Sequence, residues 1–392
     1  MKLIVTVPAL NEEKTIAQVV GGVPRNIAGV TETEVIVLND GSTDQTAKVA
    51  AAAGALVINI VGRPGLGSVF RTGIELAMRR GADIIVNIDG DMQFNPADIA
   101  KLVQPLLNDE ADFVTCSRFS DPALMPTMPG VKYWGNRAVT RIINWVCGGT
   151  NFSDVSCGFR AFNREAAYRM TLFGRFTYTQ ECFIDLFGKG VRIAEVPLKV
   201  RGVREHGKSR IASSIWKYAT NSLPIILRAM RDIQPLKFFG GIGAMFFIPG
   251  MIAGLVVTLR YTIGHVRTEV VDGVKHTVRV HLTSPFTSLV PLSGALVTLG
   301  VILFVLALLA DMLGRHRRIS EELLYLTRRR VYSNRRTVRA SLPQLPEELH
   351  LEHAESPESM GPTVHDTPSL HDSWSLPVMR TVSTEPAPTR AS

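Results

Sequence analysis

Two aspartates separated by one glycine are the residues whose types and spacing most directly indicate chemistry. Asp89 and Asp91 end the largely apolar run that begins at Ile84. A short apolar run bounded by glycines predicts a buried strand of a parallel sheet, and open α/β sheets bind ligands outside the carboxyl ends of their strands. Two carboxylates this close repel each other unless a cation lies between them. Oxygen ligands of this kind suit Mg²⁺ or Mn²⁺ bound together with substrate phosphates, so we expect a metal–diphosphate site here.

The elements that must position these acids alternate regularly along the first half of the chain. Strands are predicted at Lys2–Pro8, Glu34–Leu38, Ala55–Ile60, the run before Asp89, Asp112–Ser117 and Glu195–Val200. Helical patterns lie between them, and Asn11 is predicted as the N-cap of the first helix. This alternation predicts an α/β fold with a doubly wound, mostly parallel sheet over a catalytic domain of residues 1–210. Because Lys2–Val7 is itself strand-like, no secretory signal peptide is expected.

The second half changes character after residue 210. Aromatic and basic residues mix over 211–237, a pattern typical of juxtamembrane amphipathic helices in the headgroup layer. Residues 238–259 carry no charge and are long enough to cross a hydrocarbon core, and a second span is predicted over 284–312. The connection 260–283 is then an extracytoplasmic loop. A basic segment over 313–339 and a polar, disordered tail over 340–392 complete the chain.

Charge and cysteine content constrain the compartment. The net charge is +8, and arginines are dense after the second span. That density predicts a cytoplasmic C-terminal side, and two spans return the chain to the side it left, so the catalytic domain is expected at the cytoplasmic face of a membrane. The four cysteines show no C-x-x-C spacing and are predicted to be reduced thiols. We interpret the basic segment as a topology and lipid-surface signal, because no nucleic-acid-binding motif accompanies it.

Several motifs extend beyond the acid pair. They are Pro8–Glu12, Asn39–Asp44, Asp89–Gln93, Ser117–Phe119, Gly135–Arg137, Gly158–Phe162 and Arg204–Ser209. As a set they resemble the family 2 glycosyltransferases of GT-A fold, in the branch that contains dolichol-phosphate mannose synthases and bacterial polyprenyl-phosphate glycosyltransferases. The resemblance covers about residues 2–235, and two membrane spans after the catalytic domain agree with it.

The resemblance implies a role for each matching position. A nucleotide pocket would be lined by Pro8, Asn11, Glu13 and Asp40. The metal, and through it the donor diphosphate, would be held by Asp89, Asp91 and Gln93. The phosphate of the acceptor lipid would be bound by Arg118 and Arg137, which with the two aspartates form the catalytic set. A loop closing over the phosphates would contribute Arg204 and Lys208. The turn at 62–67 departs from the basic pattern of the family, because Leu66 stands where a lysine is common.

The chemistry of sugar transfer agrees with these roles. Breaking the anomeric bond of a nucleotide sugar builds negative charge on the departing diphosphate, which a divalent cation stabilises. A phosphate acceptor is already ionised near pH 7 and needs no strong base, while arginine forks bind phosphate bidentately. The expected reaction is therefore an inverting transfer of one sugar from a GDP- or UDP-linked donor to a polyprenyl or dolichyl phosphate. The sequence leaves the sugar, the lipid length and the oligomeric state open.

Two other functions are compatible with parts of the sequence. A processive polysaccharide synthase would share the early motifs but carries a Gln-x-x-Arg-Trp motif, which this sequence lacks. A non-catalytic, membrane-anchored protein that binds nucleotide sugars is the other alternative. Single residues also have alternative interpretations. Arg118 and Arg137 could be solvated surface charges, and Asp40 and Asp44 could be turn residues only. Arg160 could be the partner of an ion pair inside the domain.

Overall fold

The computed structural model describes residues 1–60, 65–174, 178–202, 224, 227–228, 231, 234–263, 265–271, 274–280, 286–341 and 379–381. The chain divides into two compact units. The first comprises Met1–Arg141, Asn151–Tyr218 and Leu324–Ser392, and the second comprises Ile142–Thr150 and Ala219–Leu323.

The first unit is built on one mixed sheet. Its strands in chain order are β1 (Lys2–Ala9), β2 (Glu32–Asn39), β3 (Leu56–Ile60), β4 (Ile84–Asn87), β5 (Phe113–Ser117), β6 (Arg160–Asn163) and β7 (Ile193–Pro197). Their spatial order is β3-β2-β1-β4-β6-β5-β7, and a three-residue strand, Met379–Thr381, pairs with the outer edge of β3. Strand β6 runs antiparallel to both β4 and β5, and the other pairs among these seven strands are parallel. The predicted α/β class with a mostly parallel sheet is confirmed.

Helices cover both faces of this sheet. The covering helices are α1 (Ile16–Gly22), α2 (Thr46–Ala52), α3 (Leu66–Arg79) and α4 (Ile99–Leu107), and then, after α5 (Gly130–Val146) in the chain, α6 (Arg164–Arg169) and α7 (Thr179–Gly188). Successive residues of a strand point to opposite faces, so Leu3 and Val5 pack with α1 and α4 while Ile4 packs with α3. The central strands are therefore buried on both faces, which is why their sequences are continuous apolar runs rather than alternating ones.

Three local predictions differ from the structure. Helix α1 begins only at Ile16, so Asn11 is not its N-cap; Asn11 instead has a left-handed backbone with φ 56°. The late strand lies at Ile193–Pro197, earlier than the predicted 195–200. Strand β6 was not predicted as a strand, because it is only four residues long and has no clear polar–apolar alternation.

The second unit contains two long apolar helices joined by a hairpin. Helix α8 (Pro235–Ile263) contains the predicted span 238–259, and helix α9 (Phe286–Ser341) contains the predicted span 284–312 from residue 286 onward. Strands β8 (His265–Val271) and β9 (Val274–Val280) pair antiparallel within the predicted 260–283 loop. Both helices are long and apolar enough to cross a membrane by length and composition. The predicted juxtamembrane segment 211–237 falls mostly outside the described residues.

Small residues allow α8 and α9 to approach closely. A Cβ placed on Gly300 of α9 would lie 2.9 Å from the Cα of Phe247, and one on Gly250 of α8 would lie 2.9 Å from the backbone nitrogen of Val297. Only glycine leaves room for backbones at this separation, and such close approaches at glycine are also common in helix pairs that pack inside membranes.

The C-terminal part of α9 belongs to the first unit, where it packs on α6. Tyr325 is buried in the apolar cluster on the α3 face of the sheet, and its hydroxyl donates to Glu165 at 3.2 Å. Arg328 Nη1 donates to the carbonyls of Met170 and Tyr168 at 2.7 and 3.2 Å, which satisfies carbonyls at the end of α6. Part of the basic segment thus has a packing role that charge density alone did not indicate.

Candidate functional site

The loops that follow β1 and β2 are tied to each other by side-chain hydrogen bonds. The side-chain oxygen of Asn11 accepts from the backbone nitrogen of Thr43 at 2.8 Å, and the backbone nitrogen of Asn11 donates to the hydroxyl of Ser42 at 3.0 Å. The backbone nitrogen of Asp40 donates to the carbonyl of Ala9 at 3.0 Å. Two residues predicted to line a nucleotide pocket are therefore brought to one junction: Asn11, two residues beyond the end of β1, and Asp40, one residue beyond the end of β2.

Glu13 strengthens the same junction. Its carboxylate accepts from the backbone nitrogen of Gln45 at 3.1 Å, and its own backbone nitrogen donates to Asp44 at 3.3 Å. Burial opposes ionisation of Asp44, but hydrogen bonds from Thr46 and Glu13 outweigh it and lower the pKa of that carboxyl below its usual value. Asp44 also accepts from the backbone nitrogen of Thr46 at the start of α2. Its contacts are those of a turn and cap residue, while Glu13 holds one loop against the other.

The acid pair lies just beyond the end of β4, against the end of β1. The hydroxyl of Thr15 donates to the carbonyl of Gly90 at 2.7 Å, which fixes the turn between the two aspartates. Asp91 is 2% exposed, and its Oδ1 accepts from the backbone nitrogen of Gln93 at 3.1 Å. Met92 adopts φ 57°, a left-handed conformation that folds the chain back so that Gln93 reaches Asp91. The three predicted metal ligands therefore form one compact turn.

This donor set fits a hard divalent cation that also binds substrate. Its protein atoms are carboxylate and amide oxygens, the ligand type that Mg²⁺ and Mn²⁺ prefer. Among the described residues, no group of three or more His, Cys, Asp or Glu side chains is placed to hold a metal ion alone. A cation held by Asp89 and Asp91 would therefore need further oxygens, which a diphosphate and water supply.

Arg118, at the end of β5, forms a bidentate ion pair with Asp154. Its Nε lies 2.6 Å from Oδ2 and its Nη2 lies 2.9 Å from Oδ1, and its backbone nitrogen donates to the same carboxylate at 3.2 Å. The Asp154 side chain is 0% exposed and that of Arg118 is 12% exposed. Burial by itself would lower the pKa of Arg118, but the charge and hydrogen bonds of Asp154 raise it, so the guanidinium stays charged.

Glu195 on β7 holds the loop that carries Asp154. Its two carboxylate oxygens accept from the backbone nitrogens of Ser153 and Asp154 at 2.8 and 2.9 Å. Burial raises the pKa of Glu195, although these hydrogen bonds oppose the effect. The hydroxyls of Ser117 and Ser153 lie 2.5 Å apart and close the same junction. The orientation of Arg118 therefore depends on a loop that strand β7 fixes.

The remaining predicted phosphate-binding residues lie on other elements. Arg137 is half-buried on α5, with its guanidinium 5.7 Å from the ring centre of Tyr133. Arg204 and Lys208 lie outside the described residues. The segment that leads to them begins beside the acid pair, because the backbone nitrogen of Arg201 donates to the carbonyl of Gln93 at 2.9 Å.

Sheet register places the acids and Arg118 at one edge. Asn87 on β4 pairs with Arg160 on β6, which pairs with Thr115 on β5. Asp89 lies two residues beyond Asn87, and Ser117 lies two residues beyond Thr115, in strands that run in the same direction. Since neighbouring strands are spaced about 4.8 Å apart, the ends of β4 and β5 are separated by about 10 Å. A sugar and a phosphate fit within that separation.

Sequence reasoning missed residues whose importance depends on distant neighbours. Asp154 and Glu195 had no assigned role, although they hold Arg118. Asn87 and Tyr178 are fully buried beside Gly158, and a Cβ at position 158 would lie 3.2 Å from the Asp89 carboxylate. The one signal available was Asn87 itself, a polar residue within the otherwise apolar β4.

Comparison with known proteins identifies the relatives of this chain. The sequence model of the family described as "Glycosyl transferase family 2" matches residues 4–171 of this chain. A UDP-N-acetylglucosamine–dolichyl-phosphate N-acetylglucosaminyltransferase of Methanococcus voltae is 32% identical over 213 residues, which cover 49% of this chain and 83% of that protein. The polyprenol monophosphomannose synthase of Mycolicibacterium smegmatis is 25% identical over 236 residues, covering 56% of this chain and 86% of that protein. Glucosyl-3-phosphoglycerate synthase from Mycobacterium tuberculosis, solved with UDP, matches with a TM-score of 0.47 and 24% identity over 72% of this chain and 88% of that chain.

Proposed function

The chain belongs to glycosyltransferase family 2, and from that premise we propose that it transfers one sugar from a nucleotide-sugar donor to a polyprenyl or dolichyl phosphate at a membrane surface. The observation that carries the proposal is the sheet edge at which the Asp89–Asp91 turn, with its buried Asp91, and the ion-paired Arg118 both lie. It offers one site for a diphosphate and a second for another phosphate. Relatives named for dolichyl-phosphate and polyprenol chemistry support the acceptor class.

On the donor side, we assign the nucleotide to the junction of the β1 and β2 loops. Pro8 ends β1 there, and Asn11 and Glu13 hold the loops in a fixed shape through the hydrogen bonds described above. Asp40 has its backbone bound to β1, and we assign its carboxylate the contact with base or ribose. A pocket whose walls are already fixed loses little entropy when it binds a ligand. The base, uracil or guanine, and the sugar are not specified by these contacts.

The donor diphosphate is assigned to Asp89, Asp91 and Gln93 together with Mg²⁺ or Mn²⁺. When bound, the cation supplies positive charge that stabilises the departing diphosphate. The chain's own contribution is to fix the ligands before the reaction: the Thr15–Gly90 hydrogen bond and the buried position of Asp91 keep the turn from rearranging.

The acceptor phosphate is assigned to Arg118 and Arg137. A guanidinium has five N–H donors, and Asp154 accepts from Nε and Nη2 of Arg118, so the ion pair is compatible with a phosphate contact from Nη1. The pair also prevents the arginine from swinging away when no acceptor is present. An ionised acceptor phosphate attacks the anomeric carbon directly, and a single displacement of this kind inverts the anomeric configuration. Arg204 and Lys208 are proposed to approach the phosphates from the segment that starts beside Gln93.

The two long apolar helices support a membrane location for this reaction. We propose that both cross the membrane, with the catalytic domain and the C-terminal segment on the cytoplasmic face, in agreement with the dense arginines after the second helix. Confining the enzyme and its lipid acceptor to one surface raises the effective concentration of each toward the other.

The test is a donor screen with an isosteric control. Membranes containing the protein are incubated with a polyprenyl phosphate and each of GDP-mannose, UDP-glucose and UDP-N-acetylglucosamine, and the lipid product is identified by mass. One donor is expected to give a lipid carrying a single added sugar, whereas a ladder of products would contradict single transfer. The variant Asp91→Asn keeps the size of the side chain but removes its charge, and it should lose at least about a hundredfold in rate. An unchanged rate with Mg²⁺ or Mn²⁺ would exclude the metal role of Asp91.

A further inference from the structure

A buried polar cluster lies beside the Asp89 carboxylate. The side-chain nitrogen of Asn87 donates to the hydroxyl of Tyr178 at 2.8 Å and to the carbonyl of Gly158 at 3.1 Å. The hydroxyl of Tyr178 donates to the same carbonyl at 3.4 Å. Two side chains from different elements thus hold one backbone carbonyl, and both side chains are fully buried.

A side chain at position 158 would be crowded on the side that faces the acid. A Cβ at this position would lie 3.2 Å from Oδ2 of Asp89, 3.6 Å from Oδ1 of the same carboxylate and 3.4 Å from the Tyr178 hydroxyl. The Asp89 carboxylate therefore lies next to the space that a side chain at position 158 would occupy. Any movement of the Gly158 backbone would move the surface that limits where this carboxylate can point.

The ring of Tyr178 is held firmly in place. It stacks on Phe70 of α3 with ring centres 3.8 Å apart and planes 7° from parallel. The guanidinium of the fully buried Arg160 lies 5.5 Å from the centre of the Tyr178 ring, and its Nη2 donates to the carbonyl of Thr179 at 2.7 Å. Stacking on one ring and a cation near the same ring leave the hydroxyl little freedom to move.

The hydroxyl also keeps its proton over the whole physiological range. Burial raises the pKa of Tyr178 well above its usual value, and the negative charge of Asp89 raises it further. A protonated hydroxyl can accept from Asn87 and donate to Gly158 at the same time. The cluster is therefore fully hydrogen-bonded in one arrangement, as a buried polar network must be to be stable.

We propose that Tyr178 is a positioning residue for Asp89: with Asn87 it fixes the backbone of Gly158, and Gly158 keeps the carboxylate in the orientation that binds the divalent cation. This inference rests on the proposed function, because it assumes that Asp89 is a metal ligand. It assigns Tyr178 no contact with either substrate.

The variant that tests the proposal is Tyr178→Phe, which keeps the stacked ring and removes only the hydroxyl. The dissociation constant of Mn²⁺ is measured on the full-length protein in detergent by electron paramagnetic resonance, in the presence of UDP and, separately, of GDP. Loss of one neutral buried hydrogen-bonding group should weaken Mn²⁺ binding about fivefold. Gly158→Ala, which pushes on the carboxylate directly, should weaken it roughly tenfold or more.

Two controls separate positioning from general damage. Tyr168→Phe removes another buried tyrosine hydroxyl, on α6, and should leave the Mn²⁺ affinity unchanged. In transfer assays, Tyr178→Phe should raise the Mn²⁺ concentration that gives half-maximal rate while the rate at saturating Mn²⁺ stays near that of wild type. A merely structural role predicts the opposite result, a lower rate and lower melting temperature at unchanged Mn²⁺ affinity, and that result would overturn the proposal.

The outcomes also distinguish this inference from the function on which it rests. If Asp91→Asn weakens Mn²⁺ binding but Tyr178→Phe does not, the positioning role is wrong and the proposed metal site stands. If wild type and Asp91→Asn bind Mn²⁺ equally, or neither binds it, both the metal site and the positioning role are wrong.

Discussion

The buried ion pair between Arg118 and Asp154 gives the most direct quantitative prediction. Replacing Asp154 by Asn keeps the shape of the side chain but leaves a buried guanidinium without its counter-charge. The Asp154 side chain is 0% exposed and that of Arg118 is 12% exposed, so solvent screens the pair little. Removing one partner of such a pair destabilises a protein by about 3–5 kcal/mol.

The expected change in melting temperature follows from the size of the domain. For a domain of about 150–250 residues, each kcal/mol lowers the melting temperature by about 2–4 °C, so Asp154→Asn should melt about 6–20 °C below wild type. Differential scanning fluorimetry of the detergent-solubilised protein measures this shift. The double variant Arg118→Met/Asp154→Asn should be less damaged than the sum of the single variants, because it buries no unpaired charge.

An exposed pair in the same unit provides the matched control. Asp109 contacts Arg192 at 2.5 Å, but its side chain is 86% exposed and that of Arg192 is 49% exposed. Asp109→Asn should therefore have the same melting temperature as wild type, since exposed ion pairs contribute little to stability. The reasoning is refuted if Asp154→Asn also has the melting temperature of wild type. It is likewise refuted if the decreases in melting temperature of the Arg118→Met and Asp154→Asn single variants simply add in the double variant.

Two further predictions concern packing and pH. Gly300→Ala should lower the melting temperature of the second unit, because its Cβ would lie 2.9 Å from the backbone of α8. Gly294→Ala on the same helix is the control: its Cβ would meet nothing within 4 Å, so this variant should be neutral or slightly stabilising. Equal effects of both variants would contradict the close packing. Hydrogen bonds from Arg192 outweigh burial and lower the pKa of Asp112, so its stabilising effect is complete above the unfolded-state pKa of about 3.9 and is lost as the pH falls from there through the lower folded-state pKa. The difference in melting temperature between wild type and Asp112→Asn should be constant near pH 7 and begin to shrink below about pH 4; a difference that keeps its neutral-pH size however far the pH falls below about 4 would rule out the charge interaction as its cause.

The strand that presents the acid pair was predictable because its signal is local. An apolar run followed by Asp89, Gly90 and Asp91 specifies a buried strand and what stands at its end, and both are observed. Asn95 directly before Pro96 is likewise a local signal for a helix start, and its side chain accepts from the backbone nitrogen of Ala97 at 3.2 Å. The same reasoning was wrong for Asn11, which is not the N-cap of α1. Its side chain bonds Thr43, which is 32 residues away, and that contact outweighs its preference for a helix start.

Strand β6 shows a second reason why local patterns are insufficient. Arg160–Asn163 lies between β4 and β5 and runs opposite to both. Its first residue, Arg160, is a fully buried arginine, which no hydrophobic pattern would place inside a sheet. It is tolerated there because its guanidinium donates to the carbonyls of Cys157, Val155 and Thr179 and lies near three aromatic rings. These contacts take the place of the ion pair that was the alternative for this residue.

By itself, the sequence of this protein determined its family, the turn that carries the acid pair and the two apolar segments long enough to span a membrane. These are properties of neighbouring residues, because a strand end, a motif and an uncharged run are each defined within a few positions of the chain. The tertiary structure alone decided that Asp154 holds Arg118, that Gly158 and Tyr178 lie beside Asp89, and that Tyr325 packs near α6. Each of these contacts joins residues far apart in sequence, and strand order and loop path bring them together, which no local periodicity records.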